Sequence, residues 1–454
     1  MKLVYDVEDR PVFKNLIVFA FQQLLSIMAA TIAVPVIVGN GMSTAAALFG
    51  AGVGTLVYVF FTQKKSPVFL GSSFAFIGSM QAAFAGAVSM QAGYAGLLIG
   101  ALMAGLVYVV FALIIRAVGV GWVNRLMPAV VIGPTVAIIG LSLASSAVSS
   151  LQASSATGEN TQWAVLCGLV ALFTTMLAST YGKKGVKLIP FIIGILAGYA
   201  VAAILTLIGN ATGNAALQIA DFSAITALFE NGITISTFFT VPDFTFEKAL
   251  AGMSEIDAGY LASVAAAYIP VAFVVFAEHI ADHKNISSII ERDLLEDPGL
   301  DKTLLGDGVG SIVGAFFGGC PNTTYGESVA CVAITKNASV LTIITCAIEC
   351  IVISFLAPFV AFISSIPGCV MGGVCMALYG FIAVSGLKMI QRLDLEMNRN
   401  LFVVSTILIS GIGGLSLSFG KVTITSIACS LILGIIVNTM LKDDPEAQDK
   451  QNSR

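Results

Sequence analysis

The chain reads as an all-α membrane protein of fourteen transmembrane segments, and three observations predict it. Charged residues make up 11% and hydrophobic ones 57% of 454 positions, whereas a soluble domain carries about 25% charge. Apolar runs close to the ~20 residues that cross a bilayer recur along the whole length. Cutting the chain at those runs places all but two of its 22 Lys and Arg on one side, the bias that cytoplasmic segments carry.

The elements follow in order. The N-terminal stretch "MKLVYDVEDRPVFKN" is acidic as well as basic, and the apolar run behind it is too long for a signal-peptide core. It is read as an uncleaved first span at 15–38. Spans at 43–62, 67–86, 93–115, 128–148, 163–180 and 188–208 complete a first set of seven, those at 67–86 and 128–148 being less regular. The stretch 209–258 carries Asp221, Glu230, Asp243, Glu247, Glu255 and Asp257; it is polar enough to cap one face and shows no catalytic pattern. The second set lies at 261–283, 303–318, 321–335, 339–363, 367–387, 400–418 and 421–441, with clear runs only at 261–283, 339–363 and 421–441. The link "ERDLLEDPGLDK" (291–302) mixes charges around a Pro-Gly turn and reads as a solvated connector. An even number of spans puts both termini on one side. The positive-inside bias makes that side the cytoplasm, with only Lys248 and Lys421 outside.

Two spans break the pattern. "SPVFLGSSFAFIGSMQAAF" (66–84) and "GGCPNTTYGESVACVAITK" (318–336) each begin extended, with proline and small polar residues, and turn helical only halfway. Irregular backbone at membrane depth survives only where it lines a protein-buried cavity or a water path. A half-helix that starts there offers free backbone N–H groups to a ligand. Ala30 precedes Phe74 by 44 residues, and Glu278 precedes Tyr325 by 47. A long helix followed by a broken one thus occurs twice, about 250 residues apart. After seven spans the second copy enters from the opposite side, which makes a 7+7 inverted repeat.

The acids predicted inside the bilayer are Glu278, Asp282, Glu327 and Glu349, with Asp307 near a helix end. A central charge costs roughly 2.5–3.5 kcal/mol on insertion scales, so such residues point to function. The competing role is a structural ion pair or a polar helix contact. Glu278 and Asp282, four apart, share one helix face. Asp282 reads equally as a relay or as a solvated helix terminus. Both histidines of the chain, His279 and His283, lie beside these acids in "VFAEHIADHKN" (275–285), on a neighbouring face. The pattern is not HExxH and no distant histidine completes a ligand set, so no metal site and no cofactor are predicted. Glu349, in "CAIECIV", has no polar companion and reads as a helix–helix hydrogen bond or a protonated acid.

The remaining motifs are structural. The eight cysteines lie in apolar segments without a CxxC pair, which disfavours zinc or a disulfide framework. Gly310, Gly314 and Gly318, spaced by four, let another helix approach closely. "GDGVGS" (306–311) lacks the strand and lysine of a nucleotide loop. A net charge of −4 without a basic tract or aromatic platform gives no sign of nucleic-acid binding.

At this point the residues carry a family resemblance. "PNTTYGESVACVAITK" (321–336), "VFAEHIADH" (275–283), "FLGSSFAFI" (69–77) and "QQLLSIMAATIAVPV" (22–36) resemble the nucleobase–cation symporter (nucleobase:ascorbate transporter) family of uracil and xanthine permeases. The likeness spans nearly the whole chain. The string Asn-Thr-Thr-Tyr-Gly-Glu (322–327) is similar to the uracil branch, whereas xanthine and urate carriers usually have a Gln-Asn pair. The resemblance implies short antiparallel strands before the two half-helices. It also implies a core domain at 1–118 (spans 1–4) and 259–365 (spans 8–11), moving against a gate domain at 119–258 (spans 5–7 and the outer loop) and 366–442 (spans 12–14). The stretch 443–454 would be a cytoplasmic tail. By motif position, Glu278 and Glu327 match the carboxylates that bind the base. The backbones of Phe74 and Gly326 match the half-helix N–H donors. Ala30 and Tyr325 line the pocket, and Tyr379, in "ALYGFIAVSG", faces the core from the gate. In some uracil carriers a histidine stands where this chain has Asp282, whereas many purine carriers and some uracil-type ones have an acid there.

The implied function is import of uracil by proton symport through an elevator-like alternating-access motion, by a homodimer in the cell membrane. Uracil is neutral, with two N–H donors and two carbonyl acceptors that carboxylates and backbone amides can satisfy. Repulsion among acids in one dry pocket favours a proton on one of them. Glu278, Asp282 and Glu327 are therefore the expected proton-coupling residues, and a proton there prepares the pocket and lets the loaded core move. The alternatives are a xanthine or guanine symporter on the same scaffold, sodium in place of the proton, and an anion exchanger or channel. An intramembrane enzyme would need a nucleophile–base or metal constellation, which the histidine-bearing stretch lacks.

Overall fold

A computed structural model describes residues 3–441 except 120, 123–127, 184, 231 and 420–421. Lys2, Arg125, Lys184, Lys421, Lys442, Lys450, Arg454 and the predicted tail at 443–454 lie outside the described residues. Among the described residues eight helices are long and apolar enough to cross a membrane: Phe13–Val38 (α1), Thr44–Phe61 (α2), Met90–Val118 (α4), Ala129–Gln152, Gln162–Tyr181 (α7), Pro190–Thr212 (α8), Ala258–Ile290 (α10) and Gly368–Ile390 (α15). The fourth turns at Leu143 into α5 (Ala129–Ser142) and α6 (Ala144–Gln152). Five shorter apolar helices accompany them. Four of these are α12 (Gly326–Thr335), α13 (Val340–Ser354), α16 (Asn398–Ile412) and α17 (Ser426–Met440). In the fifth a 3₁₀ turn, Phe74–Phe76, leads into α3 (Ile77–Gly86). Helix α11 (Leu300–Gly318) is 19 residues long but carries Asp301, Lys302 and Asp307. Helix α9 (Thr245–Gly252) lies in the link between α8 and α10.

Helix starts follow local chemistry. Ser43, Ser89 and Asp257 each accept a hydrogen bond from a backbone N–H of the first turn of α2, α4 and α10, which satisfies donors that a helix leaves orphaned. In α13 the chain breaks at 355–356 and resumes as α14 (Ala357–Ser364). A single span over 339–363 was expected. Pro358 has no N–H for Ser354 and its ring clashes with that carbonyl, so the helix cannot run through.

The helices form two groups. The first joins α1, α2, α4, α10, α11 and α13; the second joins α5–α8 with α15–α17. Within the first group α2 and α11 cross at backbone contact. A Cβ on Gly310 would stand 2.7 Å from Gly54 O, and one on Gly318 the same distance from Ala46 O. The glycine row at 310, 314 and 318 therefore has α2 as its partner. A Cβ on Gly314 would overlap the Asn322 amide, so Gly314→Val is expected to lower stability by about 1–3 kcal/mol. A melting curve of the detergent-purified variant checks this.

Two three-residue strands meet inside the first group. β1 (Leu70–Ser72) pairs antiparallel with β2 (Asn322–Thr324), register Leu70↔Thr324, Gly71↔Thr323 and Ser72↔Asn322. Tyr325 N donates to Phe69 O at 3.2 Å, and Ser73 N to Pro321 O at 2.9 Å, at the two ends of the ladder. The strands satisfy their backbone groups against each other, as a membrane interior requires. They set the starts of α3 and α12 side by side. A second hairpin, β3 (Leu417–Phe419) with β4 (Val422–Ile424), precedes α17 and was not expected; it shortens the spans read at 400–418 and 421–441.

Helix α10 continues to Ile290, about two turns beyond the expected end near 283. Asp282 therefore sits within the helix and is buried, which overturns its reading as a solvated terminus. The connector 291–302 is also more than solvated. Leu294 and Leu300 are buried, Lys65 pairs with Asp297 at 2.6 Å, and Arg292 reaches Asp6 at 2.8 Å and Glu8 at 3.1 Å. The N-terminal segment runs along the α12–α13 link, with Ala338 N donating to Tyr5 O at 2.9 Å and Val340 N to Val7 O at 3.0 Å.

Candidate functional site

One cavity of about 360 Å³ lies between the two helix groups, within the size range of small-molecule sites. Its polar wall comes from the first group. Residues one turn apart on α10 put Glu278, Ala281, Asp282 and Asn285 on it. Helix α12 adds Gly326, Glu327, Ala330 and Ile334, and α1 adds Ser26. The facing wall is mostly apolar: Val136 of α5, Phe191 of α8, and Leu378, Phe381, Ile382 and Met389 of α15, with Ser179, Ser385 and Lys187 between them. The lining extends to Asn285, Ile334 and Met389, near the C-terminal ends of α10, α12 and α15.

The acids are held differently. Asp282 Oδ2 accepts from Thr324 Oγ1 at 2.8 Å, so the last residue of β2 fixes this carboxylate. Glu327 stands in the first turn of α12, at the positive end of the half-helix. Its backbone is tied to α1 by Ser26 Oγ donating to Glu327 O at 3.4 Å. One residue on, Ser328 Oγ accepts from Gln23 Nε2 at 2.6 Å and from Phe69 N at 3.0 Å. No protein group among the described residues donates to the Glu278 carboxylate, which is left to whatever enters the cavity.

The other expected site residues do not line this cavity. Ala30, Tyr325, Phe74 and Tyr379 are buried, and none of them borders the cavity. Tyr325 Oη donates to Ser72 O at 2.8 Å, fastening the start of α12 to β1. Phe74 packs edge-on against Tyr379, centroids 5.7 Å apart, and joins the two groups on the α3 side. Phe74 and Gly326 each open a helical turn, so their N–H groups have no partner within it. A second cavity, of about 180 Å³, lies toward the other end, between Val36 and Ile37 of α1 and Ser150, Ser154 and Gly368.

The histidines turn away from the cavity. His279 Nδ1 lies 2.7 Å from Asp307 Oδ2, and its Nε2 lies 3.1 Å from Thr303 Oγ1. His283 Nδ1 donates to His279 O at 2.8 Å, which leaves Nε2 to accept from Tyr58 Oη at 2.7 Å. All these side chains are buried. Asp307 is inside α11 rather than near its end, because that helix already begins at Leu300. Among the described residues no group of three His, Cys, Asp or Glu is placed to hold a metal. Glu349 lies on α13, away from the cavity, and its Oε2 has no partner.

Ser26, Ser179, Lys187, Asn285 and Ser385 were not singled out from sequence. Serine and asparagine carry no pattern that separates a cavity wall from a helix contact, and Lys187 registered only as one charge among many on its side.

Comparison with known proteins places the chain in a family. The sequence pattern of the permease family (Xan_ur_permease) matches residues 14–419. The chain is 36% identical to the uracil permease of Bacillus caldolyticus, over 99% of this chain and 97% of that protein. It is 31% identical to the uracil permease of Escherichia coli K12, over 96% and 93%. In structure it is similar to the transmembrane domain of the cyanobacterial bicarbonate transporter BicA, with a TM-score of 0.59 at 15% identity over 95% of this chain and 100% of that one. It is also similar to the murine anion transporter Slc26a9, with a TM-score of 0.64 at 11% identity over 96% and 69%. Many apolar helices, two half-helices started by paired strands and near full-length relatives lead to one conclusion: the chain is a multi-pass membrane protein belonging to the permease family that includes the nucleobase:ascorbate transporters.

Proposed function

We propose that this permease imports uracil together with a proton. The observation that carries the reading is the meeting of Glu278 and Asp282 of α10 with Gly326 and Glu327 of the half-helix in one cavity. Carboxylates there accept from the N–H groups of a pyrimidine, the backbone donor at Gly326 serves one carbonyl, and that at Phe74, which does not border the cavity, reaches the other only in another step of the cycle. Ala30, Tyr325 and Tyr379 close the site around the base in another step of the cycle. Relatives named uracil permeases, similar over nearly the full length, support the choice of base. Glu278, Asp282 and Glu327 carry the coupled proton, since acids sharing a dry pocket do not all remain charged.

The motion proposed is an elevator-like displacement of a core domain (1–118 and 259–365) against a gate domain (119–258 and 366–442). The grouping of the helices and the cavity between the groups support it. Among the described residues, the eight long apolar helices, the five short ones and α11 support fourteen spans in a 7+7 inverted repeat, proposed with both termini cytoplasmic. The family resemblance adds a homodimer joined through the gate helices. A second reading, anion transport, draws on the fold likeness to BicA and Slc26a9; three carboxylates on the cavity wall oppose an anionic ligand.

Proteoliposomes holding the purified chain test the proposal. Labelled uracil should accumulate under an imposed inward proton gradient, collapse with a protonophore, and resist excess xanthine. Accumulation that follows sodium, or that xanthine abolishes, would replace the ion or the base.

A further inference from the structure

Lys187 stands on the 3₁₀ turn Val186–Leu188, between α7 and α8. It borders the same cavity as Glu278, Asp282 and Glu327. Among the described residues of the lining it is the one cation. Lys284 and Lys388 are exposed near the ends of α10 and α15 but do not border the cavity. The Lys187 side chain is exposed, and its ammonium makes no ion pair with a described residue. The acids and the lysine belong to different helix groups, so any movement between the groups changes their separation. Recognition of a neutral base gives no reason for an ammonium here.

The empty site does give one. Once base and proton have left, the carboxylates are charged and in contact with water. Resetting the carrier draws them into a packed interface, where an unpaired charge loses its hydration without compensation. A lysine on the opposite wall is suited to follow them, since its flexible four-carbon stem carries a compact point charge. We propose that Lys187 is the counter-ion that pairs with the site carboxylates after release and lets the empty carrier reset. This rests on the proton-coupled reading above. Lys187 acts on the carboxylates, not on the base, and is a positioning residue.

Two transport modes separate this role from substrate binding. Net proton-driven uptake needs the empty carrier to return, whereas exchange of internal for external uracil does not. In proteoliposomes of the full chain, Lys187→Gln is expected to slow net uptake about tenfold, the equivalent of ~1.4 kcal/mol in a barrier, and to leave exchange within about twofold. Lys187→Arg should keep both rates. Lys187→Glu, which reverses the charge at an exposed position, should deepen the loss of net uptake. Unchanged net uptake in Lys187→Gln, or equal loss of both modes in a variant that melts with the wild type, would overturn the proposal. A wild-type protein that performs neither mode with uracil refutes the transport reading itself, a result distinct from any of these.

Discussion

Glu278→Gln should lower proton-driven uptake of labelled uracil about 100-fold, the largest functional effect expected of any single change. Glu278 lines the cavity, and no protein donor among the described residues occupies its carboxylate. Its hydrogen-bonding capacity is therefore free for the base and the proton. A charge-assisted hydrogen bond contributes roughly 1.5–3 kcal/mol, and 1.4 kcal/mol is tenfold in rate or affinity. Glutamine keeps the size and one acceptor but cannot take up a proton near neutral pH, so binding and coupling fail together. Glu349→Gln is the control. It removes an equally unusual membrane acid that lies away from the cavity on α13, and uptake should stay within about twofold. Persistence of uptake in Glu278→Gln under an imposed gradient would remove this residue from the site.

His279→Leu should give the largest loss of stability, about 3–5 kcal/mol, the cost of breaking a buried pair from one side. His279 and Asp307 are fully buried, 2.7 Å apart. The Thr303 hydroxyl donates to Leu300 O at 3.2 Å, so it accepts from His279 Nε2. A single proton then lies between Nδ1 and Asp307 Oδ2. Asp307 Oδ1 already has no partner, and leucine would strip the carboxyl of its remaining one. The double variant His279→Gln/Asp307→Asn keeps N–H donors facing carbonyl oxygens without any charge and should recover most of the loss. Thermal unfolding in detergent reads both variants. A His279→Leu protein melting with the wild type would show that the pair does not hold α10 to α11.

Much of the candidate site was legible because charge in a membrane is costly. In a chain with 11% charged residues, Glu278, Asp282 and Glu327 stand out, and all three border the cavity. The breaks in "SPVFLGSSFAF" and "GGCPNTTYGES" were legible for a related reason: proline and small polar residues at membrane depth need a protein partner. That partner proved to be each break for the other, through three residue pairs. The glycine row of α11 announced a close crossing, and the fold supplied Gly54 and Ala46 of α2.

Composition, apolar run length and the rarity of buried charge sufficed to mark this chain as a many-helix membrane protein and to pick out its acids, since those signals are local and the bilayer enforces them residue by residue. Tertiary structure alone decided which acid is held by Thr324 and which is left free, that His279 pairs with Asp307 behind the wall, and that Lys187 faces the carboxylates across the cavity. Those facts join residues up to about 140 positions apart in the chain. They depend on how helices rotate and pack, and packing is set by the sum of many small contacts that no single stretch of sequence displays.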